Sequence, residues 1–250
     1  MSTDTPIQLS LGVSLRDDRT FKNFYSADGV NQQVLSAIKG LAEGVNDNLI
    51  IWGRRGSGLT HLLQAACHDA SNNAFSIQYL PLHDMLGYAA EDVCDGLAHV
   101  DLVCIDGIDS ICGNRQWERA VFNLFNDIRD AGNCLLFASH TSPPALPILL
   151  ADLKSRLLSC TVYHVEKLSD DDKRVAMIKR AAARGMEMPQ DVARFILNRA
   201  CRDTSTLFEL LDCLDDASLQ KQRKLTIPFV KEVLGEKNQG LSHSGDELLV

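Results

Sequence analysis

Short apolar runs alternate along this chain with longer amphipathic segments, and this alternation constrains the fold more than any other feature. The apolar runs lie at residues 49–52, 75–80, 102–105, 135–138 and 162–165. A helical period is clearest over residues 117–129. Buried strands joined through helices run parallel, because each connection has to cross back over the sheet. The sequence therefore predicts an α/β fold, a parallel sheet flanked by helices.

The strand pattern stops near residue 168, and helical signals follow. Ser169 and the three aspartates after it are typical of a helix start, and Gly185 is typical of a helix end. Further helices are predicted at about 191–201, from Thr204 or Ser205 to about 222, and in a short segment from Thr226. We therefore expect four parts: a mobile tail (1–14), an α/β domain (15–167), a small helical lid domain (168–234) and a flexible C-terminal tail (235–250).

Composition excludes several classes of protein. The 250 residues are 45% apolar, which is enough for a globular core, and the formal net charge of −8 provides no bulk basic surface for nucleic acid. The eight cysteines include no C-x-x-C pair, so we expect buried thiols rather than a metal site. Without an apolar run of about 18 residues or a secretory signal, a cytoplasmic protein with no membrane segment is expected.

A glycine-rich segment follows the first apolar run and opens a helix. It reads Gly53-Arg54-Arg55-Gly56-Ser57-Gly58-Leu59-Thr60-His61. Glycines let backbone N–H groups turn toward a phosphate, and the helix N-terminus adds positive potential. Thr60 has the position whose hydroxyl binds Mg²⁺ in such loops. We predict a phosphate-binding loop, with an ordinary strand-to-helix turn as the alternative.

The loop lacks the lysine that its pattern requires, because Leu59 stands there. A charge-assisted hydrogen bond to phosphate contributes about 1.5–3 kcal/mol, so binding of a third phosphate should suffer while backbone contacts survive. Arg54 or Arg55 could replace part of this charge from the other side of the loop.

The run at 102–105 ends in Asp106, which we expect beside Thr60 as a weak Mg²⁺ ligand. A turn residue is the alternative. Active ATPases usually carry a second acid next, but Gly107 follows and Asp109 comes two residues later. Hydrolysis by the chain itself should therefore be slow or absent.

These residues, with the helix Leu62-Leu63-Gln64-Ala65-Ala66, resemble the AAA+ domain of the bacterial replication initiator DnaA. The resemblance extends from about Thr20 to Leu234. It implies that Phe21, Phe24 and Asn31 lie near an adenine base. The implied cofactor is ADP or another nucleoside diphosphate, with Mg²⁺ as a second candidate.

DnaA proteins continue into a basic helix-turn-helix domain, and no such segment follows residue 234 here. A DnaA-like AAA+ domain without it resembles the DnaA-related regulators that switch the initiator off by promoting hydrolysis of its ATP. That resemblance implies the DnaA AAA+ domain as a partner. Assembly with further copies of the chain stays open.

Two further segments support a regulator. Gln8-Leu9-Ser10-Leu11-Gly12-Val13 resembles the motif that docks bacterial proteins on the β sliding clamp, with Gln8 as polar anchor and Leu9 and Leu11 as apolar plugs. An edge strand is the alternative. Asp152-Leu153-Lys154-Ser155-Arg156 matches the family segment that presents an arginine finger, so Arg156 is expected to act on a partner's nucleotide. A local cap or ion pair is the alternative.

The sequence departs from the family at two sensors. Ser205 replaces the sensor arginine of the lid, for which Arg202 is a candidate substitute, and Ala138-Ser139-His140 replaces the usual strand-end sensor. Together with Leu59 and Gly107, these changes favour a diphosphate-tolerant site. The main functional alternative is a self-sufficient ATPase of the helicase-loader kind. A fragment that polymerises on single-stranded DNA fits the net charge least.

Overall fold

The structure is a computed structural model that describes residues 15–26, 31–43, 48–199 and 204–242. Within these residues the chain falls into two compact units. The first unit contains the described parts of Met1–Phe24, Gln33–Trp52 and Leu59–His164, and the second contains those of Tyr25–Gln32, Gly53–Gly58 and Val165–Val250.

A parallel sheet forms the centre of the first unit. Among the described residues it has five strands, β1 (Leu49–Trp52), β2 (Ile77–Pro81), β3 (Leu102–Asp106), β4 (Cys134–Ser139) and β5 (Thr161–His164), in the order β2-β3-β4-β1-β5. Every neighbouring pair is parallel. Strand β4 is buried along its whole length, whereas β5 lies at the edge. The predicted α/β sheet is confirmed.

Six helices accompany this sheet in the described chain: α1 (Gln32–Ala42), α2 (Leu59–Asn72), α3 (Leu82–Met85), α4 (Ala90–Cys94), α5 (Arg115–Ala131) and α6 (Ala151–Ser159). Helix α5 begins where the Asn114 side chain accepts the N–H of Gln116 and Trp117, and it ends at Gly132, whose φ is 76°. Its Phe125 stacks on Phe137 of β4 at 6.2 Å. The amphipathic pattern predicts this helix to within two residues at each end.

The second unit contains helices α7 (Asp170–Ala183), α8 (Gln190–Arg199), α9 (Thr204–Lys221) and α10 (Ile227–Ser242). Ser169 caps the start of α7, as its sequence predicts, and it also forms a capping box with Asp172. The fully buried side chains Ala193, Ile196 and Phe229 belong to its core. The helical lid predicted from the sequence is confirmed.

The C-terminal boundary needs correction. We expect a short last helix and a tail from residue 235, but α10 continues to Ser242. Glu236, Lys237 and Gln239 are good helix formers, which favours continuation of the helix past residue 235. Residues 243–250 lie outside the described part of the chain.

The cysteines of the described chain form no disulfide with one another. Cys67, Cys104, Cys134 and Cys160 are buried, as predicted. Burial raises the pKa of the partly buried Cys94 thiol to about 12, so this thiol stays protonated near neutral pH.

No helix in the described ranges combines the length and the apolar composition needed to cross a membrane.

Candidate functional site

The glycine-rich loop at Gly53–Gly58 is shaped by its glycines. The N–H of Ser57 donates to the carbonyl of Arg54 at 3.0 Å, and Gly56 between them has a φ of 79°, as the third residue of a type II turn requires. Gly58 also has a left-handed φ, 96°. A Cβ at Gly53 would lie 2.5 Å from the carbonyl oxygen of Val165 and 2.6 Å from Ser57 Oγ. A side chain at Gly53 would therefore displace the loop.

The loop holds a polar atom that fits a phosphate ligand. The Ser57 side chain is only 7% exposed, and its hydroxyl has no hydrogen-bond partner among the described residues. Such a buried, unsatisfied group costs about 1–3 kcal/mol. A phosphate oxygen could accept this hydroxyl, so the residues present fit the group that the loop pattern predicts.

Leu59, at the lysine position, is 3% exposed and belongs to the hydrophobic core of the first unit. Arg54 and Arg55 are exposed and form no ion pair within the described ranges. The interpretation that they supply part of the missing charge stays a prediction.

We expect Gly53→Ala to abolish nucleotide binding, because the added methyl group collides with backbone as well as with Ser57. The strain should also lower the free energy of unfolding by about 1–3 kcal/mol. Thermal melts with and without ADP measure both effects. Gly87→Ala is the matched control, since a Cβ there meets nothing within 4 Å. A wild-type ADP response in Gly53→Ala would contradict the phosphate-loop interpretation.

Thr60 and Asp106 are the residues that would hold Mg²⁺, whose charge would offset that of the phosphates. Thr60 lies in the first turn of α2, and Asp106 ends β3. The Tyr79 hydroxyl donates to Asp106 Oδ2 at 2.7 Å. Burial and the Asp106 carboxylate raise the pKa of Tyr79 well above its usual value, which keeps the phenol a donor. The other oxygen of Asp106 is left for a cation. No sequence pattern indicates that Tyr79 contacts this carboxylate.

The positions after Asp106 do not present a catalytic acid. Gly107 has a φ of 76°, and its N–H donates to the Ala138 carbonyl at 3.1 Å. Asp109 Oδ1 accepts the backbone N–H of His140 at 3.0 Å, so this carboxylate ties its turn to the end of β4. Slow hydrolysis by the chain itself stays a prediction.

Of the proposed sensor residues, the structure describes the contacts of Ser139 but not those of Arg202. Ser139 donates its hydroxyl to the Thr141 carbonyl at 2.7 Å and accepts the Thr141 N–H at 3.1 Å, so its polar group is used inside its own turn. Arg202 lies outside the described residues, and Ser205 lies in α9.

The two aromatic residues expected near the base, Phe21 and Phe24, contact different helices. Phe24 packs edge-on against the His61 ring at 5.5 Å, beside the first turn of α2. Phe21 instead lies below the Lys39 ammonium of α1, 5.5 Å from it. The structure therefore brings Phe24, but not Phe21, to the helix that begins at the loop.

Asn31 fixes backbone rather than presenting a free amide. Its Nδ2 donates to the Glu166 carbonyl at 3.2 Å, and its Oδ1 accepts the Glu166 N–H at 2.9 Å. The backbone of Asn31 is left-handed, with a φ of 58°. One N–H of the amide remains for a base.

Arg156 lies in the last turn of α6 and is partly exposed. Its carbonyl accepts the Ser159 hydroxyl at 2.7 Å, but its guanidinium forms no hydrogen bond or ion pair within the described chain. The alternative of a local cap or ion pair is therefore not seen, and this cation is available to another molecule.

Glu118 of α5 holds the start of the helix that carries Arg156. Its carboxylate is fully buried and accepts the N–H of Leu150 at 2.8 Å, of Leu149 at 3.0 Å and of Gly113 at 2.8 Å. Leu150 caps α6 without a side-chain hydrogen bond of its own. No sequence pattern indicates Glu118, because its partners come from the turn just before α5 and from a loop 31 residues later in the chain.

We expect Glu118→Gln to lower the free energy of unfolding by about 2–3 kcal/mol. The amide NH₂ cannot accept the backbone N–H groups that one carboxylate oxygen now accepts, and hydrogen bonds to charged groups contribute about 1.5–3 kcal/mol each. Denaturant titration measures the change, with Glu91→Gln at an exposed position as control. A difference below about 0.5 kcal/mol would show that the carboxylate charge has little effect.

A family model described as the bacterial DnaA ATPase domain matches residues 15–163, more than half of the chain. The chain belongs to the bacterial DnaA ATPase domain family. A second family model, described as Hda, lid domain, matches residues 170–234. A DnaA-related AAA+ protein is thus confirmed.

Solved structures of DnaA have this fold. Domain III of the Thermotoga maritima replication initiation protein DnaA has a TM-score of 0.75 and 21% identity, covering 90% of this chain and 98% of that one. AMPPCP-bound DnaA from Aquifex aeolicus has a TM-score of 0.68 and 21% identity, covering 79% and 65%. A Thermotoga maritima RuvB variant has a TM-score of 0.65 and 15% identity, covering 87% and 71%. The AAA+ fold with a helical lid region is confirmed.

Proposed function

We propose that this chain is a negative regulator of replication initiation that promotes hydrolysis of ATP held by DnaA. The observation that carries the proposal is the partly exposed Arg156, whose guanidinium has no partner within the described residues. An arginine supplied by a second molecule neutralises charge on the phosphoryl group being transferred. Membership in the DnaA family supports a partner with the same AAA+ domain.

The nucleotide of the chain itself is ADP or another nucleoside diphosphate, held by residues 53–61. The orphaned Ser57 hydroxyl supports phosphate binding, and the buried Leu59 disfavours a third phosphate. AMPPCP in the Aquifex aeolicus DnaA structure supports nucleotide binding as such. The nucleotide is structural, so the chain needs a partner to complete a catalytic site.

The β sliding clamp is the second proposed partner, bound through Gln8, Leu9 and Leu11. These residues lie outside the described part of the chain, so the proposal rests on their sequence. Tethering to a DNA-loaded clamp would raise the local concentration of the regulator near newly replicated DNA.

The test is hydrolysis of labelled ATP bound in advance to DnaA, with clamp loaded on DNA, in the presence and absence of this chain. Acceleration that requires both this chain and the clamp is expected. ATP turnover by this chain without DnaA would instead support the self-sufficient ATPase.

A further inference from the structure

The helix that carries Arg156 is short, so tertiary contacts have to set its position. Helix α6 has nine residues, and an isolated helix shorter than about 12–15 residues is marginal in water. Its side chains Leu153 and Leu157 are buried in the core of the first unit. These apolar contacts determine which face of the helix is buried. Because they are not directional, they determine less well where its first turn lies.

Glu118 supplies directional contacts at that first turn. Its Oε2 accepts the N–H of Leu150 at 2.8 Å and of Leu149 at 3.0 Å, and its Oε1 accepts the N–H of Gly113 at 2.8 Å. Leu150 is the N-cap residue of α6, and Glu118 itself lies in the first turn of α5. The carboxylate therefore joins the starts of two helices that are distant in sequence.

The burial of Glu118 makes these contacts resistant to displacement. The side chain is fully buried and forms no ion pair within the described ranges, although a glutamate is almost never fully buried unless it is paired. Its partners are instead backbone N–H groups, two of them at the N-terminus of α6, where the helix dipole favours an anion. If α6 moved away, a buried carboxylate would lose charge-assisted hydrogen bonds without water to replace them.

We propose that Glu118 is a positioning residue for the arginine finger and acts by fixing the first turn of α6. This inference rests on the proposed function, in which Arg156 meets the ATP held by DnaA. Arg156 lies six residues after Leu150, about 9 Å along the helix axis. Its guanidinium has no partner of its own within the described chain, so its place depends on where the helix lies.

Loss of the Glu118 contacts should lower the rate of hydrolysis within the complex rather than the affinity of the complex. A misplacement of about 1 Å at a reacting centre can cost about 10²-fold in rate. Binding of two proteins instead depends on many contacts spread over an interface of about 1,600 Å². A small shift of one short helix therefore changes affinity little.

Single-turnover hydrolysis of labelled ATP on DnaA, measured over a range of concentrations of this chain, separates the two quantities. In Glu118→Gln the maximal rate should fall by at least about ten-fold, while the concentration that gives half of this rate stays near the wild-type value. A merely structural role would do the opposite. A partly unfolded population would raise the concentration needed and leave the maximal rate unchanged.

Asp101→Ala is the matched control. Asp101 also joins distant segments, since its carboxylate accepts the N–H of Ser76 at 2.7 Å, but it does not contact α6 in these bonds. The variant should lose stability and keep the wild-type maximal rate. Amide hydrogen exchange of residues 151–159 should be faster than wild type in Glu118→Gln and unchanged in Asp101→Ala.

Leu150→Pro tests the same contact from the helix side and decides the matter if Glu118→Gln does not fold. The φ of Leu150 is −81°, close to the value that proline adopts, so the ring removes the N–H that donates to Glu118 without opposing the backbone. Leu150→Pro should lower the maximal rate, whereas Leu150→Ala, which keeps the N–H, should not. A wild-type maximal rate in Glu118→Gln or in Leu150→Pro would overturn the inference. No acceleration by the wild-type chain would instead overturn the proposed function.

Discussion

Arg156→Ala is expected to remove the acceleration of ATP hydrolysis on DnaA, returning the rate toward that of DnaA alone. Arginine fingers contribute about 10³–10⁵ in rate, because their charge offsets the charge that develops on the transferring phosphoryl group. Single-turnover hydrolysis of labelled ATP on DnaA measures the loss. Stability should not change, since the guanidinium forms no hydrogen bond or ion pair within the described chain.

Two variants show whether the effect belongs to the geometry of this arginine. Arg156→Lys keeps the charge but loses the planar fork that binds two oxygens at once, so most of the activity should be lost. Arg194→Ala removes an exposed arginine of α8 and should keep the full acceleration. Full activity of Arg156→Ala would exclude an arginine finger that acts in trans. The similarity to DnaA would then concern the fold and not the mechanism.

Replacing Gln8 and Leu9 together by Ala is expected to abolish retention on the sliding clamp. Burying a leucine side chain contributes about 1.5–3 kcal/mol and a hydrogen bond about 1 kcal/mol, so affinity should fall on the order of 10²-fold. Surface-immobilised clamp measures the affinity. In assays with clamp-loaded DNA, this variant should also accelerate the hydrolysis of DnaA-bound ATP less than the wild type does.

The double variant of Thr3 and Thr5 to Ala is the control for this experiment, since it changes the same tail outside the motif. Nucleotide binding and melting temperature should stay at wild-type values in both double variants. Unchanged clamp affinity after loss of Gln8 and Leu9 would remove the clamp from the proposed function.

The backbone of this molecule is predictable because each of its elements is encoded locally. Apolar runs separated by amphipathic segments determine a parallel sheet, and the glycines of residues 53–58 predict a turn that only glycines adopt. Ser169 similarly determines the start of α7 through its own side chain. Signals of this kind depend on a few adjacent residues, so the sequence alone shows them.

The polar contacts around the site depend on residues that are distant in sequence. Tyr79 meets Asp106 because β2 pairs with β3 in a register that aligns Tyr79 with Cys104, two residues before Asp106 and on the same face. Glu118 likewise meets Leu149 only after α5 and α6 have packed. Alternation along β2 could have indicated which face Tyr79 occupies, but not its partner.

The burial of Leu59 limits which residues this position can hold. Leu59→Lys would exchange a core side chain for an ammonium group, which is costly to bury without a partner. A bound phosphate could pair with that charge, but the nucleotide-free protein could not. This substitution would destabilise the nucleotide-free protein more than the nucleotide-bound protein. A lysine at this position would therefore be tolerated best by a chain that keeps its nucleotide bound throughout folding.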